Sequence, residues 1–243
     1  MARDRRGSVK THEWGTAPDF VGPRHDLRER LLLDLFLSGS PGPRVLDAGA
    51  GQGTMTAKLA GLGFEVTSVD VSGAAVDRLR HSANGEVHQA SVADLPFEDA
   101  TFDGAVLGEV LEHVEDDRGA LSEIARVLRP GGALALSVPG NPSLYGPSDE
   151  WAGHVRRYTR AQLLRACGET GFEVRRCTPW GFPVSRLYHR HVYEPYLERR
   201  GPHRPGGRRQ PLVTALGVVL QLDRLFVGVE RGSLGYLLLA TRP

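Results

Sequence analysis

Val45-Leu46-Asp47-Ala48-Gly49-Ala50-Gly51-Gln52-Gly53 decides the fold. An apolar run ends on an acid, three glycines follow at alternate positions, and a helical pattern opens behind them. Glycine lets the backbone turn and come close to a ligand. The start of the following helix offers free N–H groups. Asp70 closes the next apolar run, about 20 residues on, where an acid can hold two ribose hydroxyls.

The spacing separates two kinds of ligand. A dinucleotide fingerprint runs G-x-G-x-x-G. Here the third glycine comes one residue early, and Thr54 stands where the match needs glycine. Asp47 precedes the glycines, and an acid suits an ammonium and sits poorly beside a pyrophosphate. The order D-x-G-x-G-x-G therefore favours a cofactor with an α-amino group and a ribose. It disfavours a nicotinamide enzyme and a tight turn with no ligand.

Outward from this loop, β and α patterns alternate. Leu27, Leu31, Leu35 and Leu32, Phe36 mark a first helix, stopped by Ser38-Gly39-Ser40-Pro41-Gly42-Pro43. Strands are expected over 44–48, 65–69, 86–90, 102–107, 133–138, 172–178 and 236–241. Ser72 is a good N-cap. Arg118 to Leu128 reads as an amphipathic helix ended by Arg129-Pro130-Gly131-Gly132. Near-continuous apolar strands alternating with helices predict an α/β, Rossmann-like sheet, mostly parallel, with helices on both faces. Pro139 to Tyr158 reads as a long irregular segment, and Thr159-Arg160-Ala161-Gln162 as a capping box. Residues 1–26 read as a flexible arm and 27–243 as one domain, with a partly helical cap insertion at about 180–231.

Composition narrows the classes. The chain has 243 residues, a formal net charge of +1 and 40% hydrophobic content, enough for one large domain. Nothing in that balance demands nucleic acid, and the basic stretches Ala2–Arg6 and Arg199–Arg209 read as solvated. Cys167 and Cys177 match no disulfide framework or zinc motif and read as reduced thiols of a cytoplasmic protein. No apolar run follows the leading arginines, so no signal peptide is expected. Leu212 to Val229 is broken by Gln221, Asp223 and Arg224 and is not expected to insert stably in a bilayer.

Residues 44–138 resemble the class I S-adenosylmethionine-dependent methyltransferase core, with its D-x-G-x-G-x-G loop and its acid after the second strand. The resemblance implies seven strands with the last antiparallel, a place that Tyr236–Thr241 fits. It implies S-adenosyl-L-methionine as cofactor and S-adenosyl-L-homocysteine as product. On that analogy Asp47 and Gly49 face the methionine end, Gly51 and Gly53 make room for the cofactor backbone, and Asp70 takes the ribose. Val92 N–H would meet the adenine and Val71 pack on it. Ser91 stands where many members carry an acid.

Gly108-Glu109-Val110-Leu111-Glu112-His113-Val114 follows the fourth strand, at the edge where the family holds the sulfonium side, so Glu109 joins the cofactor set. Glu109, Glu112 and His113 would share a face in a helical turn. The run is similar to E-x-x-E-H-V of ubiquinone-biosynthesis O-methyltransferases. His113 is a candidate base, with a bracing role as the alternative and a divalent metal not favoured. His154, in Trp151-Ala152-Gly153-His154-Val155-Arg156-Arg157-Tyr158, is the second candidate base. His189 and His191 lack further ligands of matching spacing. Trp180, Phe182 and Tyr188 are expected to line an acceptor pocket, and Leu212–Val227 to form its inner wall or an oligomer contact; a peripheral bilayer role is the minority alternative.

The expected function is methyl transfer to a small molecule, on a hydroxyl of an aromatic or polyketide-like metabolite, by a monomer or homodimer. The alternatives are an N- or C-methyltransferase, a cyclase or decarboxylase on the same scaffold, and a regulatory subunit with a vacant site.

Overall fold

The computed structural model describes residues 23–82, 85–195 and 211–243. Most of the arm and the arginine run 199–209 lie outside them. The strands are β1 (Arg44–Ala48), β2 (Glu65–Asp70), β3 (Glu86–Gln89), β4 (Phe102–Gly108), β5 (Leu128–Pro139), β6 (Glu173–Trp180) and β7 (Gly235–Thr241). They form one sheet in the order β3-β2-β1-β4-β5-β7-β6. β1 to β5 pair in parallel, and β7 runs antiparallel between β5 and β6.

The helices are α1 (Pro23–Ser38), α2 (Thr54–Gly61), α3 (Gly73–Ser82), α4 (Asp117–Val127), α5 (Pro147–Ala152), α6 (Arg160–Glu169), α7 (Val184–Tyr188) and α8 (Pro211–Leu220). Strand alternation assigns them to two faces. Leu46, Leu134 and Leu136 point to the side packed by α4 and α6, while Val45, Ala133 and Ala135 point to the side packed by α1 and α2. On α4, Ala120, Leu121, Ile124 and Val127 are all buried. Each large one stabilises the fold by about 1.5–3 kcal/mol. Asp116 caps this helix by accepting from Gly119 N.

Three segments and the Trp180 side chain depart from the sequence reading, while the insertion is partly helical as expected. α1 begins at Pro23, inside the segment read as an arm. β5 begins at Leu128, because Leu128 pairs with Phe102, and Gly131 and Gly132 exchange backbone hydrogen bonds with Arg242. The segment 139–158 holds a 3-10 turn at Pro142–Leu144 and α5, whose start is fixed by Asp149 accepting from Gly146 N. In the insertion, α7 runs into a π-helical turn at His189–Tyr193, and α8 continues as a 3-10 helix at Gln221–Phe226. Trp180 ends β6 and is buried with Leu237 and Leu239, so its ring belongs to the sheet core and lines no acceptor pocket.

Candidate functional site

Successive strands are added outward on one side as far as β3 and then on the other side from β4, so the strand order reverses between the parallel β1 and β4, and an open α/β sheet forms its crevice at the carboxyl ends beside such a switch. The glycine loop lies there. Gly49, Gly51 and Gly53 have φ of 77°, 52° and 76°, the left-handed region. Gly49 N and Ala50 N donate to Val69 O, tying the loop to the end of β2. A Cβ on Gly49 would meet Val110 Cγ2 at 2.5 Å, and one on Gly53 would meet Leu79 Cδ2 at 2.6 Å. A Cβ on Gly51 would meet nothing nearer than Gly49 O at 4.0 Å. Two glycines are thus required by packing, and the third faces open space.

Asp70 receives Gly51 N on Oδ2 and Ser72 N on Oδ1, each at 2.8 Å. Each oxygen keeps a lone pair for a further donor. Val71, next along, is 72% exposed. Val92 is buried, whereas Ser91 is exposed and its Oγ receives Ala93 N. Asp47 is buried, and its Oδ2 receives Thr56 Oγ1 at 2.6 Å. Burial pushes its carboxyl up to about 7, with the nearby Glu29 adding to the shift.

Behind the loop, α1 contributes charged groups that no sequence motif announced. Glu29 takes hydrogen bonds from Thr54 and Lys58 and faces His25 Nε2 at 2.8 Å. Burial alone would raise its carboxyl, but His25, Lys58 and Thr54 hold it well below the usual range. Arg28 Nη1 lies 3.4 Å from Glu109 Oε2. Arg28 Nε, Glu109 Oε1, Ser137 Oγ and both Glu112 carboxylate oxygens are buried and make no hydrogen bond among the described residues. Such a gathering of unpaired buried polar atoms fits a ligand with its own donors and acceptors.

The expected Glu109–Glu112–His113 face does not form. Glu109 has φ of 62°, a left-handed turn that ends β4, and only Leu111–His113 is helical, as one 3-10 turn. Glu109 therefore faces α1. Glu112 and His113 face His154 instead. The His113 and His154 rings meet edge-on at 4.8 Å, and His154 Nε2 lies 3.8 Å from Glu112 Oε1. One donor atom from each of Glu112, His113 and His154 lies within 4.8 Å of the others, a set that can hold a small cation.

Burial, with Glu109 adding, pushes the Glu112 carboxyl well above the usual carboxylate range. Burial and the neighbouring His154 bring His113 down to about 4. His154 Nδ1 lies 2.7 Å from Asp149 Oδ1, and Arg157 Nε holds both Asp149 oxygens at 2.8 and 2.9 Å. Asp149 was not a candidate from the sequence; its only signal was its place in the Pro-Ser-Asp-Glu start of a helix.

In the insertion, His189 is buried and exposed His191 is not part of its cluster. His189 Nδ1 pairs with Arg24 Nη1 at 2.8 Å and its Nε2 lies 3.3 Å from Glu194 Oε1. Glu194 in turn receives Ser148 Oγ and N, so the insertion is tied to α1 and α5. Cys167 is buried and Cys177 half-buried, both as free thiols. No helix among the described residues is long and apolar enough to cross a membrane.

Residues 46–136 match the methyltransferase domain family. The chain is 43% identical over 109 residues to an O-methyltransferase of Penicillium expansum, covering 42% of this chain and 40% of that protein. It is 33% identical over 138 residues to a probable S-adenosylmethionine-dependent methyltransferase of Mycolicibacterium smegmatis, covering 55% of this chain and 53% of that one. The chain thus spans about half or less of the length of these relatives. Among solved structures, the cyclase SpnF shares the fold at a TM-score of 0.62 and 21% identity, over 97% of this chain and 87% of that one.

Proposed function

We infer from the methyltransferase domain in residues 46–136 that this chain transfers a methyl group from S-adenosyl-L-methionine to a small-molecule acceptor, on a hydroxyl of an aromatic or polyketide-like metabolite. One observation carries the cofactor assignment. Three left-handed glycines follow the buried acid of β1, and Gly51 alone has open space where a Cβ would stand. The unpaired atoms of Arg28, Glu109 and Glu112 beside it fit the charged amino-acid end of that cofactor.

In this reading Asp70 takes the ribose hydroxyls while its bonds to Gly51 and Ser72 hold the loop's shape. Gly49 and Gly53 let the backbone pass Val110 and Leu79. Val71 and Val92 offer apolar surface to the adenine, with Ser91 at its rim. Asp47 and Glu109 face the ammonium, and Arg28 the carboxylate. The cofactor supplies a methyl group already activated by its sulfonium. The protein aligns the nucleophile and excludes water, which lowers the barrier by several kcal/mol.

His154 is the proposed base. Asp149 receives its Nδ1–H, which leaves Nε2 as the proton acceptor for a hydroxyl. His113 braces that ring edge-on. A second reading rests on the convergence of Glu112, His113 and His154 donor atoms, which fits a divalent cation that would help ionise a phenol. We place the unit at residues 23–243, earlier than the expected 27 because α1 begins at Pro23, with the insertion after Trp180, between β6 and β7.

The test is calorimetry with S-adenosylmethionine, followed by methyl transfer to a panel of phenols. Absence of binding at millimolar cofactor would sink the proposal. Binding without transfer to any hydroxyl, amine or carbon acceptor would favour a cyclase or decarboxylase. Activity lost on chelation and restored by a divalent cation would favour the metal reading over the base.

A further inference from the structure

α7 carries a guanidinium that the fold does not use. Arg186 is half-buried, yet among the described residues it makes no hydrogen bond and no ion pair. Burial brings it down from the ordinary arginine range, the charges of Arg190 and Arg157 add to the shift, and no carboxylate offsets them.

The helix sets its direction. In α7 and the turn that continues it, Ser185 and His189 are buried and Leu187 and Arg190 are exposed, with Arg186 at the border between the two sides. Residues three apart on a helix are neighbours, so Arg186 flanks His189. His189 meets Arg24 of α1, and Glu194 behind it accepts from Ser148 of α5. Arg186 therefore sits where α7 joins α1 and α5. The charges of Arg24, Arg157, Asp149 and Arg186 all reach His189 at this junction.

Both acids of the junction are already engaged. Asp149 is held by Arg157 and His154, and Glu194 by Ser148 and His189. Arg24 has no carboxylate partner among the described residues; besides His189, its guanidinium lies 4.9 Å from the centre of the Tyr193 ring. Ser185 Oγ, next to Arg186, is buried and makes no hydrogen bond among the described residues. Before α6, Arg156 is paired with Asp117 at 3.0 Å. A half-buried cation among other cations is costly until an anion joins it.

We propose that Arg186 holds an anionic group of the methyl acceptor, a carboxylate or a phosphate ester. Arg157 joins this site to the chemistry, because it fixes Asp149 and Asp149 orients His154. The cofactor's own carboxylate is assigned to Arg28. The proposal rests on the methyl-transfer reading and names its acceptors as acidic phenols.

The test is calorimetry of the chain loaded with S-adenosyl-L-homocysteine. The probes are hydroxybenzoates and hydroxycinnamates beside their methyl esters, and hydroxyphenyl phosphates beside the matching benzenediols. At least one acid should bind roughly ten- to a hundredfold tighter than its neutral counterpart. Arg186→Gln should remove that difference and leave the neutral probe and S-adenosyl-L-homocysteine unaffected. Arg186→Lys should keep part of it. The two kinds of acid tell carboxylate from phosphate. Arg186 makes no bond in the free chain, so the variants should melt with the parent. No acid preferred over its counterpart, or an undiminished preference in Arg186→Gln, would overturn the proposal. So would weaker S-adenosyl-L-homocysteine binding in that variant, which would assign Arg186 to the cofactor. Methyl transfer separates the two readings. Transfer to neutral phenols as fast as to their acids would overturn this proposal alone. An acid preference that depends on Arg186, with no methyl transferred to any acceptor, would overturn the methyl-transfer reading and leave Arg186 as an anion site.

Discussion

Asp149 Oδ1 lies 2.7 Å from His154 Nδ1, and the same carboxylate holds the buried Arg157 guanidinium through both oxygens. Arg157 fixes Asp149, and Asp149 fixes the His154 ring, so that Nε2 is the nitrogen turned towards Glu112. Asp149→Asn removes the charge that would stabilise a protonated ring. With a hydroxyl acceptor, turnover should fall about a hundredfold while cofactor affinity stays within about twofold. Thermal melts must accompany the kinetics, since breaking a buried ion pair costs about 3–5 kcal/mol. Unchanged turnover in a folded Asp149→Asn or His154→Gln variant would remove His154 from the chemistry.

The glycine loop separates packing from ligand contact. Gly49→Ala places a methyl 2.5 Å from Val110 Cγ2 in a left-handed backbone, so the fold should lose about 2–4 kcal/mol. Gly51→Ala meets open space and pays only the backbone strain, about 1 kcal/mol. If the cofactor occupies that space, Gly51→Ala should nevertheless weaken its binding by at least about tenfold. Calorimetry beside a urea melt reads both quantities. A Gly51→Ala protein that binds as tightly as the parent would place the cofactor elsewhere.

These two sites differ in how much of them the sequence disclosed. The loop was legible because its glycines and acids are local: nine consecutive residues fix the turn, and Asp70 reaches back to Gly51 N across β1 and β2. The sheet was legible for the same reason, since each apolar strand reads by itself. The His154 environment is built by tertiary contacts among α5, the 3-10 turn after β4 and the segment before α6. Spacing put Glu109 with Glu112 and His113, yet one left-handed residue turned it to Arg28 instead. Helical periodicity likewise could not tell that Asp223, in the 3-10 helix after α8, would be buried and accept from Val184 N and Ser185 N, while Leu222 and Leu225 beside it stay exposed and line no inner pocket wall.

Asp47 predicts a pH dependence of stability and of cofactor binding with linked signs. Its folded carboxyl is pushed up to about 7 by burial, above the ordinary value near 4 of an unfolded chain. Folding therefore takes up a proton, and stability should fall as pH rises from about 4 to about 7, by an amount on the order of 2–4 kcal/mol. Asp47→Asn should flatten that fall. A bound ammonium favours the ionised acid, so the rise in melting temperature on adding cofactor should be larger at pH 8 than at pH 5. Equal shifts at both values would mean that Asp47 does not face the ammonium.

His189 gives the opposite slope. It is buried between Arg24 and Glu194, and burial, with the charges of Arg24 and Arg157, brings it down to about 3. The unfolded chain binds its proton below about 6.5, whereas the folded chain resists it. Its contribution is fully present above 6.5 and is lost as pH falls, amounting to about 2 kcal/mol by pH 5. Protonation there would place a cation against the Arg24 guanidinium and release the tie between α1 and the insertion. His189→Gln keeps an acceptor for Arg24 and cannot charge. Its melting temperature should therefore hold between pH 7 and pH 5 over an interval where the parent's declines. Parallel declines in the two proteins would assign the acid sensitivity to other groups.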